Sequence, residues 1–288
     1  MCDDDCFTDL NRRDFGTLAL ATGALAAGAL AASKVAYAGV AITETDVEIK
    51  TPDGTVDASF IHPTSGAAPG VLIWTDIMGL RPAFRDMGRR LAAEGYAVLT
   101  PNPFYRSGKA GPDGMGLDFQ NPDARAKMMG LMGALAAPGA AERDAAAFVA
   151  WLDAQKQVNK AKRIGTAGYC MGGPLIMRTA AALPTRIGAA GSFHGGGLVT
   201  DKPESPHLMI PKMKAQLLIA IAENDDAREP NSKDTLKAAF AAAKVKAEVE
   251  VYAGANHGWC VPGSPVHNPG QADRAYGRLT AMYKTALA

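Results

Sequence analysis

The chain reads as an α/β protein, a mainly parallel sheet flanked by helices on both faces. Three observations predict this. Short apolar runs alternate with helical stretches from residue 70 to the C-terminus. Several of these runs are apolar without interruption, as strands covered on both faces require. A pair of segments with strict apolar/polar alternation stands before them, which places antiparallel strands at one edge of the sheet.

The elements follow in order. Residues 47–50 and 56–61 alternate around Pro52, Asp53 and Gly54, a hairpin pattern. The run Gly-Val-Leu-Ile-Trp at 70–74 predicts a buried strand. Phe84, Met87 and Leu91 share one helical face, Gly95 closes that helix, and 96–99 form a strand stopped by Pro101. Residues 106–121 are rich in glycine, contain Pro112, and read as a loop. Asn121-Pro122 is a helix start, and Pro138-Gly139 breaks the Met/Leu/Ala-rich helix that follows. A second helix sets Ala145, Phe148, Val149 and Leu152 at helical spacing. A strand at 162–167 and a helix at 174–183 come next. Strands recur at 187–193, 216–222 and 247–252, with a helix at 231–243 between the last two. A closing helix begins near Asn268-Pro269.

Residues 1–38 read as an export signal and 39–288 as the folded domain. Asn11-Arg12-Arg13-Asp14-Phe15 is a twin-arginine pattern. An Ala/Gly/Leu stretch follows at 16–32, with Lys34 as a late positive charge and Ala36-Tyr37-Ala38 as an A-x-A cleavage site. Twin-arginine signals direct bacterial export of folded proteins. The expected location is therefore periplasmic, with the twin-arginine machinery as partner during translocation. The alternative is an uncleaved membrane anchor, since the stretch has about the minimum length for a span. No later segment is long and apolar enough to cross a bilayer, so no stable membrane partner is expected.

With 30 basic and 29 acidic side chains the net charge is +1, and no basic block suggests nucleic acid. The expected partner is a small molecule. Cys2 and Cys6 fall in the signal, leaving Cys170 and Cys260, which do not make a disulfide framework. A bridge between these two would silence Cys170 as a nucleophile.

The most informative run is Gly168-Tyr169-Cys170-Met171-Gly172-Gly173. It has the G-x-nucleophile-x-G form of a nucleophile elbow, with cysteine in the usual place of serine. It sits between a strand and a helix, as the sharp turn requires. Small residues let the two backbones approach, and the helix N-terminus favours a thiolate. The competing reading is a buried structural cysteine in a glycine-rich turn.

A thiol nucleophile needs a base, and the base needs an orienting group. On elbow-bearing sheets these follow the nucleophile in the order acid, then histidine. Glu223-Asn224-Asp225-Asp226 follows one strand, and His257 follows the next. His257 is the candidate base. Asp225 or Asp226 is the candidate orienter, and spacing barely separates them. His62, beside Pro63, reads as a surface turn, and His207 and His267 as proline-rich loop residues. His194 follows a strand, as either a pocket contact or a spectator. His257-x-x-Cys260 supplies two zinc ligands, too few for a site. No metal or cofactor is expected.

With these residues assembled, the chain resembles the dienelactone hydrolase family of the α/β-hydrolase fold, from about Val47 to the C-terminal helix. The cysteine elbow is the most specific element of the resemblance. Trp74-Thr75-Asp76-Ile77-Met78-Gly79-Leu80 resembles a strand-end motif in which a glutamate precedes Ile-Phe-Gly. Pro101-Asn102-Pro103-Phe104-Tyr105-Arg106 resembles a Pro-Asp-Leu-Tyr-x-Arg run. The resemblance implies ester or lactone hydrolysis through a triad of Cys170, His257 and Asp225 and a thioester intermediate. It implies an oxyanion hole at the backbone N–H groups of Met171 and Ile77. It also implies substrate contacts at Asp76, Arg106, Phe104 and Trp259, with Arg106 on a substrate carboxylate. Asp76 replaces the family glutamate, Asn102 an aspartate and Phe104 a tyrosine. Segments 107–121 and 195–211 are insertions near the expected pocket mouth. Two rival readings remain open: a non-catalytic periplasmic binding protein on the same scaffold, and a general carboxylesterase or acyl-transfer enzyme.

Overall fold

The strands are β1 (Ile42–Thr51), β2 (Gly54–Pro63), β3 (Gly70–Trp74), β4 (Ala97–Pro101), β5 (Ile164–Tyr169), β6 (Ile187–Phe193), β7 (Gln216–Ala222) and β8 (Ala247–Tyr252). They come from a computed structural model that describes residues 39–288 apart from Leu117 and Phe119. The export signal read at 1–38 lies outside the described residues. One sheet runs in the order β1-β2-β4-β3-β5-β6-β7-β8. From β4 through β8 each neighbouring pair is parallel, while β1 and β2 join that edge antiparallel. This is the α/β-hydrolase fold expected from the sequence.

The hairpin is longer than its alternating core. Its register runs without a break from Ile42 opposite Pro63 to Thr51 opposite Gly54. The extension corrects the reading of His62 as a surface residue. His62 lies inside β2, buried, with Nδ1 2.7 Å from the Pro63 carbonyl oxygen and its ring against Phe60. Pro63 takes the last position of the strand, where proline ends the element without interrupting its ladder.

The helices are α1 (Pro82–Ala93), α2 (Pro122–Ala136), α3 (Ala140–Ala154), α4 (Gly172–Ala182), α5 (Glu223–Arg228), α6 (Ser232–Ala242) and α7 (Pro269–Ala286). Their starts follow local chemistry. Asn121 Oδ1 accepts from the N–H groups of Asp123 and Ala124, and Asn268 Oδ1 accepts from Gln271, each ahead of a proline in the first turn. At the other end of α2, Arg178 donates to the carbonyls of Ala136 and Ala137 and clamps Glu142. These bonds satisfy carbonyls that the helix leaves free. The acidic run after β7 reads as a loop but folds as α5.

Side chains alternate across β3, so Leu72 and Trp74 enter one core and Val71 and Ile73 the other. The first core adds Phe148, Leu152 and Ile176 from α3 and α4 and Phe240 from α6. The second takes Phe84 and Leu91 from α1 and Leu279 and Tyr283 from α7. Full burial of each such side chain contributes about 1.5–3 kcal/mol. The double cover explains the uninterrupted apolar runs, and it fixes the C-terminal ends of the parallel strands as one edge.

Candidate active site

Three loops meet at that edge. β5 ends at Tyr169, Cys170 turns with φ +52°, and α4 starts two residues later. Positive φ in a non-glycine residue is strained and calls for support from its surroundings. Small residues make the turn possible. A Cβ on Gly168 would stand 2.1 Å from the Gly172 carbonyl oxygen, and one on Gly172 would stand 2.4 Å from that of Trp74. The elbow therefore lies against the end of β3. Met171 is the N-cap of α4, and Ile77 follows β3 in a turn closed by Gly79 N–H on Asp76 O. β3 and β5 are paired neighbours, so Met171 and Ile77 follow adjacent strand ends.

The base candidate comes from the loop after β8. His257 Nδ1 lies 2.7 Å from Asp225 Oδ2, and the ring stands close enough to Cys170 for the thiol to act on its protonation. Burial works against a charged His257. Its bond to Asp225 and its closeness to Cys170, with the charges of both, outweigh burial and push its pKa up to about 10. The backbone N–H of His257 donates to Asn224 Oδ1 at 2.8 Å, which ties the loop to α5. Arg228, one turn on from Asp225, holds its other oxygen. Of the two adjacent aspartates, Asp225 meets His257. Asp226 accepts twice from Lys233. Neither Asn224 nor Arg228 stands out in the sequence. An i to i+3 acid–base pair was visible, but only a helix at 223–228 gives that spacing meaning.

His194 is buried against the elbow. Its Nδ1 accepts the backbone N–H of Cys170 at 3.1 Å, and its ring centroid lies 5.1 Å from that of His257.

Four expected substrate contacts have other partners. Asp76 is bidentate with Arg81, at 2.6 and 2.7 Å, and accepts the Met78 N–H at 2.9 Å. Its short side chain closes on its own loop. Arg106 gives two bonds to Asp144, at 2.9 and 2.8 Å, and one to Asp53 at 2.6 Å. Two carboxylates already neutralise the cation that the resemblance assigns to a substrate. Trp259 is fully buried between Tyr252 and His194, so it backs the site rather than lining an opening. Phe104 is buried in the first core, and its ring lies 3.4 Å from where a Gly79 Cβ would be. In this structure the protein's own groups hold all four side chains.

Cys170 and Cys260 are both free thiols. Cys170 packs against the first core and Cys260 belongs to the second. Among the described residues no group of three or more His, Cys, Asp or Glu side chains could hold a metal ion. No helix among them is long and apolar enough to cross a membrane.

Comparison with known proteins agrees with this fold. The profile of the dienelactone hydrolase family matches residues 56–287. A carboxymethylenebutenolidase from Rhodococcus opacus is 26% identical over 226 residues, covering 77% of this chain and 83% of the relative. In structure, a dienelactone hydrolase-like promiscuous phosphotriesterase from metagenomic libraries superposes with a TM-score of 0.70 at 20% identity, covering 86% of this chain and all of the other. A dienelactone hydrolase from Anabaena variabilis superposes with a TM-score of 0.60 at 17% identity, covering 86% and 99%.

Proposed function

The chain belongs to the dienelactone hydrolase family, and on that premise we propose that it hydrolyses a carboxylic ester or lactone with Cys170 as nucleophile. The observation that carries this reading is a single chain of contacts: Asp225 to His257 to Cys170, at a strand-to-helix elbow. His257, oriented by Asp225, takes the thiol proton. The thiolate attacks the substrate carbonyl carbon, and the C=O electrons move onto oxygen. The N–H groups of Met171 and Ile77 hold that oxyanion, each donor contributing about 3 kcal/mol to the transition state. Collapse expels the alkoxide, which takes the proton from His257. A thioester to Cys170 remains. His257 then removes a proton from water, the hydroxide attacks the thioester, and the acid leaves as the thiol is restored. In a lactone the alkoxide stays tethered, so its protonation must precede reclosure of the ring.

The engagement of Arg106 by Asp53 and Asp144 favours a neutral acyl substrate over a carboxylated one within this reading. Export is part of the same proposal, resting on the twin-arginine pattern and the A-x-A site in residues 1–38. The test is hydrolysis of p-nitrophenyl acetate by reduced protein beside Cys170→Ala, with the acyl-enzyme trapped and located by mass. Turnover that needs Cys170 and an acyl group on that residue are expected. Equal turnover by Cys170→Ala would sink the mechanism. An inert parent with an unreactive Cys170 would support a binding role instead.

A further inference from the structure

Next to the proposed triad stands a second histidine that the mechanism above does not use. His194 is the first residue after β6, as Cys170 is the first after β5, and these strands are paired from Ile164 to Tyr169. Both residues have positive φ, +41° and +52°. They are joined directly, because the Cys170 N–H donates to His194 Nδ1 at 3.1 Å as well as to the Phe193 carbonyl at 3.0 Å. The His194 backbone N–H is anchored on the Ala220 carbonyl of β7 at 2.8 Å. The ring is 1% exposed and sits edge-to-face with His257 and with Trp259, at 5.1 Å each.

These contacts set the state of the ring. Nδ1 accepts a hydrogen bond, so the proton of the neutral imidazole is on Nε2. Nε2 is buried and has no partner among the described residues. A second proton would go to Nδ1, pointing N–H at N–H, beside a second imidazole that carries charge when the thiol ionises. Burial and the neighbouring His257 charge both hold the His194 pKa well below its ordinary value. The groups facing this ring are Cys170, His257, Tyr169 and Trp259, and none is a carboxylate.

We propose that His194 is a positioning residue for the nucleophile and its base. Its Nδ1 holds the strained Cys170 amide in the elbow, and its neutral ring packs against His257 so that His257 is the imidazole that takes the proton. The inference rests on the reading of Cys170 and His257 as nucleophile and base. It adds a requirement which that reading does not contain, a hydrogen-bond acceptor at the Nδ1 position of residue 194.

Three variants separate this role from simple space filling. His194→Asn keeps an acceptor at the Nδ1 position, in a residue that tolerates positive φ. His194→Gln keeps polarity but moves its acceptor one bond further out, and His194→Leu has none. The readouts are the iodoacetamide alkylation rate of Cys170 against pH, located by mass, and the split between kcat and KM for p-nitrophenyl acetate. Gln and Leu are expected to slow labelling near pH 7 and to lower kcat by about tenfold or more with KM little changed, and Asn to recover to within about threefold of the parent. If Leu fails to fold, Asn against Gln decides. Gln labelled as fast as the parent overturns the proposal, and so does Asn falling as far as Gln. Rapid labelling and Cys170-dependent turnover in the parent, with no effect of His194, would refute this inference alone. A parent whose turnover survives Cys170→Ala would refute the nucleophile reading and this inference with it.

Discussion

Arg106→Met separates two roles for one side chain. The resemblance assigns Arg106 to a substrate carboxylate, which predicts a raised KM for anionic substrates and an unchanged fold. The geometry predicts a change in stability instead. The Asp144 side chain is 1% exposed and takes two Arg106 bonds plus the Tyr105 hydroxyl at 2.7 Å. Removing the guanidinium leaves that carboxylate buried with a single neutral donor. Breaking a buried pair from one side costs about 3–5 kcal/mol. Arg106 itself is 24% exposed, so water can reach part of the gap and the lower end, about 3 kcal/mol, applies. Asp53 adds little, because Arg143 still holds it at 2.8 Å. For a domain of this size the expected fall in Tm is roughly 6–12 °C. The assay is urea and thermal unfolding of Arg106→Met, with Arg106→Met/Asp144→Asn beside it. The double variant removes the orphaned charge but keeps an acceptor for Tyr105, so it should recover at least half of the loss. An unchanged midpoint together with a raised KM for a carboxylated ester would refute the argument and return Arg106 to the substrate.

Two further outcomes follow from the site. Gly168→Ala puts a Cβ 2.1 Å from the Gly172 carbonyl oxygen, so the elbow must open, at a cost of about 3 kcal/mol. Loss of rapid Cys170 alkylation and a lowered unfolding midpoint should appear together, and normal labelling would show that the close approach is not needed. The two histidines should give stability opposite pH slopes. His257 binds its proton more tightly folded than unfolded, so its contribution is full below 6.5 and is lost as pH rises to about 10. His194 is held neutral by folding, so its contribution is full above 6.5 and is lost as pH falls below that value. Unfolding midpoints across pH should show Asp225→Asn flattening the alkaline limb and His194→Asn the acid limb. Limbs that overlay the parent's would contradict the assignment.

The elements were legible because each depends on close neighbours. A continuous apolar run marked β3, Asn-Pro pairs marked the starts of α2 and α7, and the glycines at 168, 172 and 173 marked a turn that a Cβ would block. The order elbow, acid, histidine was readable for the same reason, since it follows the order of strand ends along the chain. The hairpin extension through His62 and the short helix α5 were not, because their sequences lack a clean period and neighbouring strands decide them.

What the sequence determined by itself was therefore the fold, the elbow and the shortlist of Cys170, His257 and two aspartates. Tertiary structure decided the partners. Asp225 and Asp226 are adjacent in sequence, and only packing turns one to His257 and the other to Lys233. Arg106 meets Asp144 across 38 residues and His194 meets Cys170 across 24. A side chain's partner depends on which charges the folded sheet and helices bring within about 3 Å of it. No local pattern encodes that, because hydrogen bonds and ion pairs are short-ranged in space and indifferent to separation along the chain.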